Sequence, residues 1–167
     1  MGAGALVQKN KKSSETDIVI VGAGPVGLGL AIDLAQFGVR TTVVERSSDL
    51  HTIPKGQNLT QRTGEHFRRW GVSRAVRQAE PIRRDFGNAG LVAYEKLLGD
   101  YHYDWFKRGA VNQFYFAENE RLPQYETERV LRDRASQLDA ISLHLGCPAL
   151  DISQDAHAVT VNVQKED

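Results

Sequence analysis

The chain has 167 residues, of which 41% are hydrophobic, and its 21 basic side chains equal its 21 acidic ones. This length and apolar share suit one globular domain with a real core and exclude a disordered chain. The balanced charge gives no overall field for nucleic acid or an anionic membrane surface, and a single cysteine excludes an internal disulfide and a thiolate metal site.

Residues 1–16 are polar and basic without periodicity, and we expect them to form a disordered tail. No run approaches the ~20 apolar residues that span a bilayer, and the start of the chain has neither a secretory h-region nor a myristoylation signal. We therefore expect a cytoplasmic protein with no membrane and no nucleic-acid partner. Its five histidines show no metal spacing, so we expect no metal site.

Residues 17–83 are predicted to form a β-α-β unit. Residues 17–21 are a β-branched run typical of a parallel strand buried on both faces, and residues 41–45 repeat that pattern. Between them, residues 25–37 predict a helix, in which three apolar side chains recur every four positions: Val26, Leu30 and Leu34. Pro25 suits its first turn, and Gly38 supplies a left-handed end.

A second helix follows, with one face formed by Leu59, Thr63, Phe67 and Trp70, and it ends at Gly71. Ser73 is predicted to cap a short helix that ends before Pro81.

Residues 84–120 contain two aromatic clusters, 101–105 and 114–116, among several glycines. This composition predicts short antiparallel strands joined by turns, and thus a β-rich insertion that is not another β-α-β unit.

Residues 121–167 are predicted to return to the first unit. Residues 123–138 form a helix with Leu131, Ala135 and Leu138 inward, and residues 141–145 form a strand. Alternating apolar residues on both sides of a turn at 155–157 predict a hairpin, and Cys147 is expected in the core.

The glycine-rich segment Gly22-Ala23-Gly24-Pro25-Val26-Gly27 lies between a predicted buried strand and a predicted helix, where a dinucleotide-binding turn requires it. Gly22 permits the tight turn, Gly24 lets a pyrophosphate approach the backbone, and Gly27 lets the helix pack closely on the strand. The helix N-terminus then faces the phosphates.

Glu45 follows Gly22 by 23 positions, near the ~20 expected for a carboxylate that binds ribose hydroxyls. An acid there disfavours a 2′-phosphate and therefore NADP, but the residues do not decide between FAD and NAD. The alternative interpretation is that the segment is only a glycine-rich connection between strand and helix, and that Glu45 is exposed to solvent.

Three segments carry a resemblance to a known family: residues 18–27 with Glu45-Arg46, residues 55–65 (Lys55-Gly56-Gln57-Asn58-Leu59-Thr60-Gln61-Arg62-Thr63-x-Glu65), and residues 122–131 (Leu122-Pro123-Gln124-x-x-x-Glu128-x-x-Leu131). The chain resembles the N-terminal part of the single-component FAD-dependent aromatic hydroxylases, which include para-hydroxybenzoate hydroxylase. The resemblance implies an α/β fold: a Rossmann-like FAD-binding domain with a parallel sheet, an antiparallel β insertion and a C-terminal β-hairpin, incomplete relative to the whole family fold.

By this resemblance the cofactor-binding residues are Gly22, Gly24, Pro25, Val26, Gly27, Glu45, Arg46, Lys55, Arg62 and Gln124. Glu45 would bind the adenosine ribose, Arg46 would lie beside the adenine, Lys55 near the pyrophosphate, and Gln124 on the flavin side. Lys55 stands where family members often have arginine, which leaves a bidentate contact open. Arg62 has an alternative as a surface partner of Glu65, and Gln124 as a helix-terminal residue.

The resemblance further implies that NAD(P)H reduces the bound FAD and that a flavin C4a-hydroperoxide hydroxylates an aromatic substrate, which the 84–120 segment would help to cover. No catalytic residue is identified. The family's later Asp-Gly and Gly-Asp motifs, and a later strand of the sheet, would lie beyond Asp167, so we expect activity to require the remainder of the enzyme. The alternatives are an inactive truncated nucleotide-binding module and the FAD-binding part of another flavoprotein oxidoreductase.

Overall fold

The computed structural model describes residues 14–53, 55–81, 91–93, 102–104 and 108–164. The predicted tail, apart from 14–16, and much of the 84–120 insertion lie outside these residues. Strands β1 to β7 are Ile18–Val21, Thr41–Val44, Asn58–Leu59, Leu91–Ala93, His102–Asp104, Glu120–Arg121 and Ile141–His144, and β8 and β9 are Ala149–Gln154 and Val159–Val163. Helices α1 to α5 are Pro25–Gln36, Gln61–Trp70, Ser73–Ala79, Arg108–Val111 and Gln124–Ser136, and Asn112–Phe114 is a short 3₁₀ helix.

The centre of the fold is a parallel sheet of order β1-β2-β7. Ile18 aligns with Thr41 in the first pair, and Thr41 aligns with Ile141 in the second. Helix α1 follows β1 and packs on this sheet and on α5, which leads into β7. The predicted β-α-β plan with a parallel sheet is therefore confirmed, and β7 is the third strand of that sheet.

The core lies between this sheet and the helices. Its fully buried side chains include Leu28, Ala31, Ile32, Val43, Val76, Leu122, Leu131 and Ala135. Leu131 and Ala135 point inward as predicted, Leu138 packs against the core, and Cys147 is buried.

The predicted apolar face of α1 is wrong for Val26 and Leu30, although Leu34 does pack against the core. Val26 is 86% exposed and Leu30 is 49% exposed, whereas Leu28, Ala31 and Ile32 are buried. A strict four-residue repeat drifts around a helix of 3.6 residues per turn, and the small side chain of Ala31 allows the opposite face to lie closer to the sheet.

Strand β1 is also not buried on both faces as predicted. Val19 is 37% exposed and Val21 is 56% exposed, whereas Ile20 is buried. Among the described residues β1 has one neighbour, β2, and so it is an edge strand of this sheet. The central strand β2 is the more fully buried one.

The boundaries of α2 and α3 need two corrections. Leu59 lies in β3 and not in α2. The side chain of Thr60 accepts a hydrogen bond from the Thr63 N–H, so Thr60 is the N-cap and α2 begins at Gln61. Gly71 ends α2 in the left-handed conformation, as predicted. Val72, rather than Ser73, occupies the N-cap of α3, and it makes no side-chain cap.

The insertion is partly as predicted. Strands β4 and β5 are antiparallel, and β5 includes residues of the first aromatic cluster. The second cluster is not a strand, since Asn112–Phe114 forms the 3₁₀ helix and the N–H of Tyr115 donates to the carbonyl of Asn112. The predicted C-terminal hairpin is confirmed by the antiparallel pairing of β8 and β9. Within the described residues no helix is long and apolar enough to cross a membrane.

Candidate functional site

The glycine-rich turn lies at the carboxyl end of β1. Gly22 has a φ of +109°, which an L-amino acid with a side chain rarely adopts. A Cβ at Gly27 would collide with the carbonyl oxygen of Gly22. These two glycines are therefore required by the fold of the turn itself.

Gly24 differs from its neighbours. Its backbone is extended, with a φ of −76° and a ψ of 179°, and a Cβ built on it would meet no atom within 4 Å. The chain itself therefore does not require glycine at this position. The open space beside Gly24 is where a ligand can approach the backbone.

Helix α1 begins directly at this space. Gly24 is its N-cap, Pro25 is its first residue, and among the described residues no side chain caps it. The amides of its first turn, Val26 and Gly27, therefore have no capping acceptor. Together with the positive end of the helix dipole they can receive an anion.

Glu45 follows β2 and is joined to the glycine turn. Its Oε2 accepts a hydrogen bond of 2.8 Å from the N–H of Ala23, and its Oε1 accepts one of 2.9 Å from the N–H of Ser47. Each carboxylate oxygen has a second lone pair, which can accept from a ribose hydroxyl.

The environment of Glu45 favours its ionised form. Partial burial raises the pKa of this carboxyl, but the hydrogen bonds from Ser47 and Ala23 lower it. The positive charges of Arg132 and Arg46 lower it further, and the pKa lies below its ordinary value of 4.5. Glu45 is therefore an acceptor-only group at neutral pH.

Arg132 of α5 is a residue that the sequence analysis did not identify. Its Nη1 donates to the carbonyl oxygen of Ser48 at 3.2 Å, and its charge acts on Glu45. It therefore fixes the segment after β2 to α5. Its position 87 residues after Glu45 along the chain gave no signal for this contact.

Lys55 and Gln124 belong to a second part of the candidate site. The N–H of Gln124 donates to the carbonyl of Gly56, and the N–H of Leu122 donates to that of Gln57, both at 2.9 Å. Asn58 and Leu59 then pair with Arg121 and Glu120. The two segments that carried the resemblance after the glycine turn are thus physically paired.

The side chains of this second part have different surroundings. Lys55 is exposed, so its charge is available to a ligand. Gln124 is half-buried, and its Nε2 donates to the Glu128 carboxylate at 2.7 Å.

Arg62 forms the surface pair that was its alternative. Its Nη1 lies 3.1 Å from Glu65 Oε2, and its side chain is 66% exposed. The first group of predicted residues, Gly22 to Gly27 with Glu45, forms one corner, and Arg46 is exposed next to it.

Comparisons with known proteins show the family of the chain. A family described as FAD binding domain matches residues 15–167. The 3-(3-hydroxy-phenyl)propionate/3-hydroxycinnamic acid hydroxylase 2 of Burkholderia vietnamiensis is 31% identical over 163 residues, which are 95% of this chain and 28% of that protein. The anhydrotetracycline monooxygenase of Streptomyces rimosus is 32% identical over 150 residues, covering 88% of this chain and 27% of the relative.

Two solved structures are similar in fold. The flavin-dependent monooxygenase PieE in complex with FAD and substrate has a TM-score of 0.75 and 25% identity, over 89% of this chain and 26% of that one. Aklavinone-11 hydroxylase in its ternary complex with FAD and aklavinone has a TM-score of 0.75 and 29% identity, over 92% of this chain and 30% of that one. The chain thus spans less than a third of the length of these relatives.

Proposed function

The chain belongs to the FAD binding domain family, and from this premise we propose that it forms the ADP-binding corner of a flavin-dependent monooxygenase that hydroxylates an aromatic substrate. One observation carries the proposal: Glu45 is hydrogen-bonded to the turn that opens α1, so a ribose acceptor and a phosphate-binding helix N-terminus lie side by side. The relatives include hydroxylases of phenylpropionate and tetracycline compounds by name.

The residues of this corner fit the ADP half of FAD. The pyrophosphate would occupy the space beside Gly24, where a Cβ would meet no protein atom, and would accept from the amides of Val26 and Gly27. The ionised Glu45 would accept from the adenosine ribose. A nucleotide with a 2′-phosphate on this ribose would bring its negative charge against that of Glu45. This repulsion favours FAD over NADP at this turn.

The exposed cations around the corner fit the charge of the cofactor. FAD has two phosphate charges, and Arg46 and Lys55 supply positive charge beside the adenosine and the pyrophosphate in the proposal. Gln124 would contact the flavin side. Bound FAD would supply the redox chemistry with NAD(P)H and O₂, and the protein would bind, orient and exclude water.

We propose that the activity requires a larger enzyme. The chain spans 28% of the phenylpropionate hydroxylase that it matches. In the described residues the outer edge of β1 is unpaired, and Val21 beside it is 56% exposed. An unpaired apolar edge of this kind is suited to accept a further strand.

Such an enzyme would act in the cytoplasm, where its buried thiol at Cys147 stays reduced.

The alternative is a nucleotide-binding module without turnover, or a part of another flavoprotein oxidoreductase. The observation that favours it is that Glu45 shapes the ADP end of the site with residues of this chain, through its hydrogen bonds from the N–H groups of Ala23 and Ser47. Such a module would bind ADP and FAD about equally, because it would gain nothing from the isoalloxazine.

The test is to purify the 167-residue chain alone and measure its bound flavin and its substrate-stimulated oxidation of NAD(P)H. The proposal predicts nucleotide binding without turnover for the chain, and turnover after addition of a polypeptide that supplies the rest of a relative's length. Turnover by the chain alone would contradict the proposed need for a larger enzyme. Absence of any adenine nucleotide binding would contradict the proposed site.

A further inference from the structure

Helix α5 places a carboxylate next to a residue of the proposed cofactor site. Gln124 and Glu128 are one turn apart, and Gln124 Nε2 donates to Glu128 Oε1 at 2.7 Å. Glu128 is buried, with 9% of its surface exposed. The resemblance singled out Glu128 as part of a motif but gave it no role.

The chemistry of this pair fixes the direction of the Gln124 amide. An ionised carboxylate only accepts hydrogen bonds, so the NH₂ group of Gln124 must face Glu128. The carbonyl oxygen, Oε1, must then point elsewhere. It lies above Gly56, where it is the nearest atom to a Cβ built on that glycine, at 3.9 Å.

A backbone hydrogen bond also fixes Gln124 beside Gly56. The N–H of Gln124 donates to the carbonyl of Gly56 at 2.9 Å, so the start of α5 is tied to the segment after Lys55. Both the backbone N–H and the side-chain NH₂ of Gln124 are engaged. Within the described ranges its Oε1 has no hydrogen-bond donor, so this acceptor oxygen is left for a ligand.

We propose that Glu128 is a positioning residue that holds the carbonyl oxygen of Gln124 toward the cofactor, so that this part of the site selects a hydrogen-bond donor of the flavin half, such as a ribityl hydroxyl. A phosphate oxygen is an acceptor and cannot bond to this carbonyl oxygen. This inference rests on the proposed function, because it takes FAD as the ligand. It deepens that function by assigning which partner donates in one hydrogen bond: the flavin half donates and Gln124 accepts.

The variant Glu128→Gln removes the constraint, because an amide at position 128 can either donate or accept and Gln124 can then turn over. We expect FAD to bind about tenfold more weakly to Glu128→Gln, and ADP to bind within about twofold of the wild type, because ADP lacks the flavin half. Equal weakening of both ligands would indicate a purely structural role and would overturn the inference.

The double variant that combines Gln124→Glu with Glu128→Gln exchanges the two side chains and is the rescue test. The amide now at position 128 would donate to the carboxylate now at position 124, whose second oxygen would face the cofactor as an acceptor. We expect FAD affinity to return to within about threefold of the wild type, since the acceptor is restored. Failure of the double variant to improve on Glu128→Gln, in a protein with unchanged circular dichroism, would also overturn the inference.

The matched control is Glu126→Gln on the same helix. The carboxylate of Glu126 pairs with Arg129, away from Gln124. This variant removes one negative charge from α5, as Glu128→Gln does, and should change the affinity for neither FAD nor ADP.

A cofactor-free readout separates this inference from the proposed function. In the ¹⁵N–¹H NMR spectrum of the chain, one side-chain NH₂ proton of Gln124 should be shifted downfield and protected from exchange, and Glu128→Gln should remove both effects. Identical Gln124 side-chain signals in the two proteins would overturn the positioning role. If the signals differ as expected but the chain binds no FAD, the proposed function fails and the orientation of Gln124 stands.

Discussion

The carboxylate of Glu45 accepts a hydrogen bond of 2.8 Å from the backbone N–H of Ala23, across 22 positions of the chain. This bond joins the end of β2 to the glycine-rich turn after β1. Because the ribose acceptor and the turn are fixed to each other, the proposed ADP site is held in shape by the chain itself.

Substitutions of two glycines in the turn should separate folding from binding. Gly27→Ala forces a methyl group against the Gly22 carbonyl, and we expect it to lower the free energy of unfolding by about 2–4 kcal/mol. Gly24→Ala meets no atom within 4 Å, so its stability should stay within about 0.5 kcal/mol of the wild type. Its affinity for FAD should nevertheless fall at least about tenfold, since the methyl group would occupy the pyrophosphate space.

Chemical denaturation and equilibrium titration with FAD or ADP measure both quantities for these variants. Unchanged ligand affinity in Gly24→Ala would show that no phosphate approaches this backbone.

Glu45→Gln should weaken both folding and binding. An amide has one acceptor oxygen, so the N–H of Ala23 or of Ser47 loses its partner. We expect a loss of about 1 kcal/mol in stability and about tenfold in ADP affinity. Asp139→Asn, which removes an exposed carboxylate from the turn before β7, is the matched control and should leave both values unchanged. ADP affinity equal in the two variants would contradict the ribose role of Glu45.

The stabilising effect of Glu45 should depend on pH. The pKa of this carboxyl in the folded chain is below its ordinary value of 4.5, so the folded state binds fewer protons than the unfolded state near that pH. The contribution of Glu45 to stability is therefore complete above the ordinary value and is lost as the pH falls through the lowered folded value.

Melting temperatures of the wild type and Glu45→Gln, measured from about pH 7 to about pH 3, should converge toward the acid end. A difference that stays constant over this range would show that the ionisation of Glu45 is not coupled to folding.

Lys55 and Arg62 should behave differently, although both were predicted to contact the cofactor. Lys55→Met should reduce FAD affinity about fivefold at low salt and less at high salt, as expected for loss of an exposed cation near phosphates. Arg62→Met should change it less than about twofold, because Arg62 pairs with Glu65 at the surface. Arg74→Met, at an exposed position of α3, is the control for loss of charge. If Arg62→Met weakens FAD binding as much as Lys55→Met, Arg62 has a cofactor role.

The local elements of the fold were predictable because their signals are local. The β-branched runs predicted the parallel strands, the glycine spacing predicted the turn, and Gly71 predicted the end of α2. Buried faces were less predictable. Val26 and Leu30 show the periodicity of a core face, yet they are exposed on α1, because the face that lies on the sheet contains Ala31.

Glu128 reaches Gln124 within α5, four positions apart, so helical spacing could have revealed this pair. Tertiary contacts explain the other site residue that the sequence did not reveal. Arg132 reaches Ser48 only because the fold brings α5 to the segment after β2. Similarly, pairing of β3 with β6 explains why two motifs far apart in the chain occur together. A pattern in a single sequence does not contain these distances.

The central claim, that this corner binds the ADP half of FAD, is tested most directly by competition among nucleotides. Binding of FAD, ADP and FMN to the wild-type chain and to Gly24→Ala would be measured by titration calorimetry. The proposed site predicts that ADP displaces FAD, that FMN does not, and that Gly24→Ala loses both FAD and ADP. Displacement of FAD by FMN but not by ADP, or equal affinities in Gly24→Ala and the wild type, would contradict it.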